Sequence, residues 1–336
     1  MSLIAAALKP RSILVATDFS EASEKVLRYS LALARFYESK FCVAHVVSSL
    51  GLTMAGPGAI AACEETVLRE AAQLEASFLR TGALRGIQHK FIVRQGELWP
   101  EMREIMRQEG ADLLVVGTRG RQGISKLFFG STAEQILRQA GCPVLIFGPH
   151  SQQLPWVGSP SRARTFLFAT DFEHASPHGL PQAIAAANQF GAKLAFLSII
   201  PPTSSDEDLR NWREDPRMRT LERLSELADN AGLDLRPELY VESESERSVS
   251  EKILETADKL RVDLIIMGSH STAYTGVISH LASASAYEVV CRAGCPVLTV
   301  NCSSVRTGVR PTPTEATASH LSEGDVIRIH GFGVKW

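Results

Sequence analysis

"ATDFSEAS", residues 16–23, returns as "ATDFEHAS", residues 169–176, and that return decides how the chain is built. "AGCPVL" behaves in the same way, at 140–145 and again at 293–298, and both pairs are offset by 153 positions. Between them "DLLVVG", residues 112–117, returns as "DLIIMG", residues 263–268, offset by 151, so small insertions and deletions cancel inside the unit. Solenoid repeats recur every ~20–50 residues, and a period three times longer marks a duplicated domain.

Each copy alternates strand and helix. Short runs rich in apolar and β-branched residues, bounded by turn or charged residues, predict strands near 12–17, 40–47, 89–94, 112–117 and 143–148 in the first copy. The second copy repeats the order near 165–170, 193–200, 235–241, 262–268 and 296–300. Between the first two strands, Ala22, Val26, Tyr29, Leu33 and Phe36 recur at steps of four and three, the spacing of one helix face. Such alternation predicts an α/β fold, a parallel sheet covered by helices on both faces.

Composition bounds the rest. The 336 residues are 45% hydrophobic and 21% charged with a formal net charge of −2, and no apolar run approaches the ~20 residues of a membrane span. Without a long basic tract the chain offers no footing for nucleic acid or a membrane surface. No basic region precedes the apolar patch in "MSLIAAALKPRSILVATDF", so the start does not read as an export signal. Six cysteines, Cys42, Cys63, Cys142, Cys291, Cys295 and Cys302, lack a CxxC pair, which fits reduced thiols in the cytosol acting as small core residues. Cys291 and Cys295 stand one helical turn apart but lack a histidine at zinc spacing, and Pro177 lies between His174 and His178, so neither pair reads as a metal site. The stretch "GPHSQQLPWVGSPSRA", 148–163, reads as a linker, and the chain after Cys302 as a flexible tail. Its last stretch, "VIRIHGFGVKW", 326–336, has the pattern of a strand without an evident partner.

The chemistry concentrates in "VVGTRGRQGISKLFFGSTAEQIL", residues 115–137. In an open parallel sheet, ligands gather beyond the carboxyl ends of the strands, where Asp18, Val46, Val47 and Gly117 would meet. Glycines at 117 and 120 let backbone amides approach a ligand, and "GST" at 130–132 opens a helix whose free amides favour an anion. Arg119 and Arg121 suit phosphate oxygens, although they also read as solvated charges, and Ser131 and Thr132 also read as helix caps. Neither GxxxxGK[ST] nor a GxGxxG after the first strand is present, which removes the strongest signals for a Walker-type hydrolase or a dinucleotide oxidoreductase.

The pattern that is present, G-x2-G-x9-G-[ST], together with "ILVATDFSEAS" and "VAHVV", resembles the universal stress protein family. Both copies carry the resemblance, over about 290 of the 336 residues, as a tandem pair. The resemblance implies two Rossmann-like (adenine nucleotide alpha hydrolase-like) domains, each a five-stranded parallel sheet with helices on both faces. It divides the chain into a first domain over 1–149, a linker over 150–163, a second domain over 164–302 and a tail over 303–336. It also implies ATP as ligand. Ala16 and Thr17 would line the site, Asp18 would lie by adenine and ribose, and Val46 would offer its backbone to the base. Gly117, Thr118, Arg119 and Gly120 would meet ribose and phosphates, and Gly130, Ser131 and Thr132 would hold the phosphates, with Mg2+ or Mn2+ as a possible companion. Ala16 stands where the family often has proline.

The second copy departs from the motif. It keeps Asp171 and Gly268, but Ser271 replaces the second glycine, and either Leu281 or Ser283 replaces the third, depending on the direction of counting. Glu242, Glu244 and Glu246 add carboxylates after the third strand. The expected function is a cytoplasmic protein that binds ATP in the first copy as a regulatory ligand, with the second copy as a degenerate partner. The alternatives are a weak metal-dependent ATPase or phosphotransfer enzyme, for which no general base stands at a recognisable spacing, and an interaction module that needs no nucleotide. Relatives of this kind commonly dimerise through their last strands, which here implies that 143–148 pairs with 296–300 within one chain, leaving a homodimer of whole chains open.

Overall fold

A computed structural model describes residues 9–48, 57–118, 135–136, 139–151, 163–172, 176–201, 215–233, 236–244, 247–269, 279–301 and 327–329. They form two compact units, one of residues 10–136 with 306–336, the other of residues 137–305 with 1–9.

In the first unit, β1 (Ser12–Ala16), α1 (Glu21–Tyr37), β2 (Lys40–Ser48), α2 (Pro57–Arg80), β3 (His89–Gly96), α3 (Leu98–Glu109) and β4 (Leu113–Gly117) follow in sequence. The strands order as β3-β2-β1-β4, all parallel. Ile13, Leu14 and Val15 are each fully buried, which requires cover on both faces of the sheet. Cys42 is buried in β2, and burial pushes its thiol up to about 11.

The start of α1 is set by Ser20, whose side chain accepts from the Ser23 amide, and its end by Glu38 in the left-handed region. Its buried face is not the predicted stripe. Val26 and Leu33 are buried, but Phe36 is 49% exposed, and burial follows Ser23, Val26, Leu27, Ser30, Leu31, Ala34 and Tyr37 instead. Steps of four and three fit two faces about one residue apart, and contact with the sheet selects between them.

The second unit holds β5 (Val144–Phe147), β6 (Thr165–Ala169), α4 (Ser176–Phe190), β7 (Lys193–Ile200), α5 (Pro216–Asp229), β8 (Glu238–Ser243), α6 (Val249–Leu260), β9 (Leu264–Ser269), α7 (Ser279–Arg292) and β10 (Val297–Asn301). Strands β10-β9-β6-β7-β8 are parallel, and β5 joins β10 antiparallel with Leu145 opposite Leu298. The final strand of the first sequence repeat thus lies in the compact unit of the second, paired with the segment that repeats it. Asn301 further donates its side-chain amide to the Ala140 carbonyl at 3.1 Å.

The repeated aspartate before the fourth strand has a structural task in both units. Asp112 accepts from the amides of Arg11 and Ser12, each at 3.0 Å, and its own amide donates to the Ser12 carbonyl. Asp263 does the same with Thr165, accepting its amide at 2.9 Å and donating to its carbonyl at 2.8 Å.

The units differ where they pack. In the first, a Cβ built on Gly117 would stand 3.3 Å from Cγ2 of Val26. At the matching helix position the second unit has Gly179, where a Cβ would meet the Phe168 ring at 3.1 Å, and Phe168 stands where β1 has Val15. A large ring on the strand and a glycine on the helix thus replace two valines. Gly179→Val is expected to destabilise by about 1–3 kcal/mol through overpacking, and Phe168→Val by a similar amount through a cavity. The double variant is expected to recover most of the loss, a coupling that urea denaturation of the four-member cycle measures.

Glu109 anchors the amino ends of β2 and β3. Its carboxylate receives Lys40 Nζ at 2.5 Å and Lys90 Nζ at 2.6 Å in a buried position. Burial alone would raise its pKa, but the hydrogen bonds and charges of Lys40 and Lys90 outweigh it and hold the carboxyl below the ordinary glutamate range. This stability is present at neutral pH, starts to be lost as pH falls through the ordinary glutamate value, and is gone below the depressed folded value. Glu109→Gln is expected to cost about 2 kcal/mol at pH 7 and to flatten the acid limb of the stability profile between about pH 5 and pH 3. Thermal unfolding of both chains across that range is the measurement.

Candidate functional site

In the order β3-β2-β1-β4 the chain reverses direction across the sheet between β1 and β4, so a crevice opens beyond their carboxyl ends. Ala16 ends β1 half-buried, and Thr17 follows it buried, its amide donating to the Ala44 carbonyl at 3.0 Å. Along a parallel strand, alternate residues turn their main-chain groups to the same neighbour. Val46, two residues beyond Ala44, therefore presents its amide and carbonyl on the β1 side, past the last strand residue of β1.

The turn after β1 is tightly specified. Thr17 Oγ1 accepts the Phe19 amide at 3.0 Å, which holds Phe19 at a φ of 57°. The Thr17 carbonyl accepts from His45 Nδ1 at 2.6 Å, and since a carbonyl only accepts, Nδ1 carries the proton. The Phe19 ring lies 5.5 Å from the His45 ring, centroid to centroid. Half-buried Asp18 uses Oδ1 to accept the Ser20 amide at 3.0 Å and the Ser23 hydroxyl at 2.5 Å, which ties the carboxylate to the first turn of α1.

The structure therefore brings Ala16, Thr17, Asp18 and Val46 to one edge, with Gly117 and buried Thr118 at the end of neighbouring β4. Gly117 has a packing reason beside any ligand, because of Val26. Arg119, Gly120, Gly130, Ser131 and Thr132 lie outside the described residues, as does Arg121. His45 and Phe19 were not singled out from the sequence. A histidine inside the apolar run "VAHVV" was the available signal, but its target, a main-chain carbonyl on another strand, leaves no local trace.

The second unit repeats the turn and changes its surroundings. Thr170 donates its amide to the Leu197 carbonyl at 2.9 Å and accepts from the Phe172 amide at 3.0 Å, with Phe172 at a φ of 63°. Asp171 is exposed, and Ser198 takes the place of His45. The Phe172 ring lies instead under the Arg223 guanidinium, 4.0 Å away, at a hollow of about 310 Å3 lined also by Phe168, Leu180 and Asn230. Leu281 and Ser283, the two candidates for the position of the third motif glycine, both fall within α7. Glu242 lies 4.0 Å from Lys252 Nζ.

Among the described residues, Cys42, Cys142, Cys291 and Cys295 are buried, Cys63 is half-buried, and Cys302 lies outside them. Burial pushes Cys295 up to about 12, with Asp263 adding to the shift, so its thiol stays protonated. No group of three or more histidine, cysteine or acidic side chains among the described residues is placed to hold a metal, and no described helix is long and apolar enough to cross a membrane.

Comparison with known proteins agrees with this architecture. The model of the universal stress protein family matches twice, at residues 10–148 and 162–301. A universal stress protein of Mycolicibacterium smegmatis is 26% identical over 310 residues, covering 86% of this chain and 96% of that relative. The universal stress protein YxiE of Bacillus subtilis is 29% identical over 142 residues, 40% of this chain and 96% of its own length. In structure, a universal stress protein from Archaeoglobus fulgidus superposes with a TM-score of 0.62 at 23% identity, covering 87% of this chain and 98% of that one, a likeness of fold. Two consecutive family matches, each carrying the same strand order and the same threonine-anchored turn, place this chain in the universal stress protein family as a tandem member.

Proposed function

We propose that the first copy binds ATP as a regulatory ligand and that the second copy serves as its structural partner. The observation that carries this reading is the edge of the first unit. Val46 turns unpaired-side main-chain groups past the end of β1, the arrangement that reads an adenine ring by donor and acceptor, while Thr17 and Asp18 fix the turn beneath it. Beyond it the chain continues into G-x2-G-x9-G-[ST], whose glycines and helix start suit a phosphate chain. Nucleotide would draw on Arg119, Gly120, Gly130, Ser131 and Thr132 for its phosphates, and a divalent cation bound with it would neutralise their charge.

The second copy supports the asymmetry. Its motif glycines are replaced, and Phe172 is committed to Arg223, where the first unit has the Phe19 and His45 rings together. Placing the protein in the cytoplasm rests on the same reading and on its buried reduced thiols.

Equilibrium dialysis with labelled ATP tests the assignment. One equivalent is expected per chain. Gly130→Asp is expected to weaken binding at least tenfold, about 1.4 kcal/mol, because it sets a side chain and a negative charge at the phosphates. Ser283→Asp is expected to leave it unchanged. The reverse outcome would place the nucleotide in the second copy.

Mass spectrometry of small molecules released from the purified chain is expected to show adenine nucleotide, and steady-state phosphate release to be absent. Sustained turnover would move the reading to a phosphate-transferring enzyme.

A further inference from the structure

We infer that the outer edge of β3 is an acceptor site for an added parallel strand, held in cis by the C-terminal segment and open to the same segment of a second copy. Strand β11 (Ile327–Ile329) pairs parallel with β3, Arg328 opposite Val93, on the side away from β2. Both family matches end before it, the second at residue 301, so the strand is an addition to the family architecture.

The chemistry of β3 explains why its edge needs cover. Its middle residues, Phe91, Ile92, Val93 and Arg94, are all buried. A lysine or arginine on an edge strand normally repels incoming strands, but both basic side chains of this stretch are engaged elsewhere. Lys90 is bound to Glu109, and Arg94 reaches Glu101 at 3.3 Å and also Gln108. What remains is an apolar ladder without a guard.

The other unit supplies the contrast. There β8 pairs only with β7 among the described residues. Matching the registers on β2 and β7 sets Glu238 where β3 has Lys90 and Glu242 where it has Arg94, and Glu238, Leu239, Tyr240 and Glu242 are all at least partly exposed. Glu242 lies 4.0 Å from Lys252 Nζ, but among the described residues Glu238 has only the Tyr240 hydroxyl of its own strand as a partner. It keeps a carboxylate charge on this edge, and among the described residues no strand is added to it.

The attachment of β11 is suited to exchange. Among the described residues the ladder is three residues long, and about 25 residues, 302–326, separate it from β10, a length that extends to roughly 80 Å. A short strand on a long tether competes with the same strand from another chain by concentration alone. The pattern Ile327-Arg328-Ile329 sets its main-chain groups in register. The Gln88 carbonyl accepts from Phe41 on β2, so by alternation Phe91 and Val93 present theirs outward. Opposite Val93, Arg328 then turns its main-chain groups away, while Ile327 and Ile329 turn their amides toward β3.

This alternation makes the test specific. In the full-length chain, the double variant Ile327→Pro/Ile329→Pro removes the two amides that face β3, whereas Arg328→Pro removes the one that does not. Hydrogen exchange is expected to accelerate at least tenfold at the Val93 amide, which faces the Ile327 carbonyl, in the double variant alone, with Leu14 in β1 protected as before. A fluorescent peptide of residues 324–333 is expected to bind the double variant at least tenfold more tightly than the native chain, in which the tethered strand competes. The same peptide with proline at 327 and 329 is expected not to bind. Unchanged exchange at Val93, equal peptide binding to both chains, or no binding to either overturns the inference. Loss of protection throughout the sheet overturns it as well, because β11 would then be integral to the fold instead of displaceable.

Discussion

A carboxylate at the foot of the fourth strand holds the first strand in place, and each unit depends on that contact. Asp112 and Asp263 both accept from the start of β1 or β6 and return their own amide to the same segment. Adjacency of the first and fourth strands creates the crevice where the chain reverses direction, and their register decides which side chains face the core. A slip of one residue would turn Ile13 and Val15 to the opposite face and move Thr17 from the edge. The aspartate that survives in both repeats therefore positions the site from its far end.

From that fixed register the two units diverge in the ways packing permits. Valines at 15 and 26 give way to Phe168 and to Gly179, where a Cβ would meet the Phe168 ring, and the strand order is unchanged. Around the turn, His45 and Phe19 are replaced by Ser198 and the pair of Phe172 with Arg223. Both changes leave the threonine turn intact. The scaffold is shared by the two repeats, and they diverge at its edge.

Edge management separates the units further. Where β8 carries Glu238 and Glu242, β3 carries Lys90 and Arg94, and those two basic residues serve buried Glu109 and half-buried Glu101. Charge that stabilises the inside of the first unit is charge withdrawn from its edge, and β11 covers the apolar ladder left behind.

Much of this was legible in the residues. Strand positions followed from short apolar runs, and all ten expected strands form, the third of the second copy beginning three residues later than its composition suggests. Duplication, the parallel α/β class and the meeting of Ala16, Thr17, Asp18, Val46 and Gly117 at one edge were also readable, because each rests on local pattern or on strand direction. The buried face of α1 was not, since a four-and-three spacing fits two neighbouring faces and only the sheet chooses. Nor was the partner of His45, the commitment of Asp18 to Ser20 and Ser23, or the strand that "VIRIHGFGVKW" would join. Local sequence determines what a segment can be, because backbone preference and periodicity act over a few residues. Which edge it covers, and which carbonyl a side chain reaches, is decided by segments far apart in the chain, and only the folded molecule brings them together.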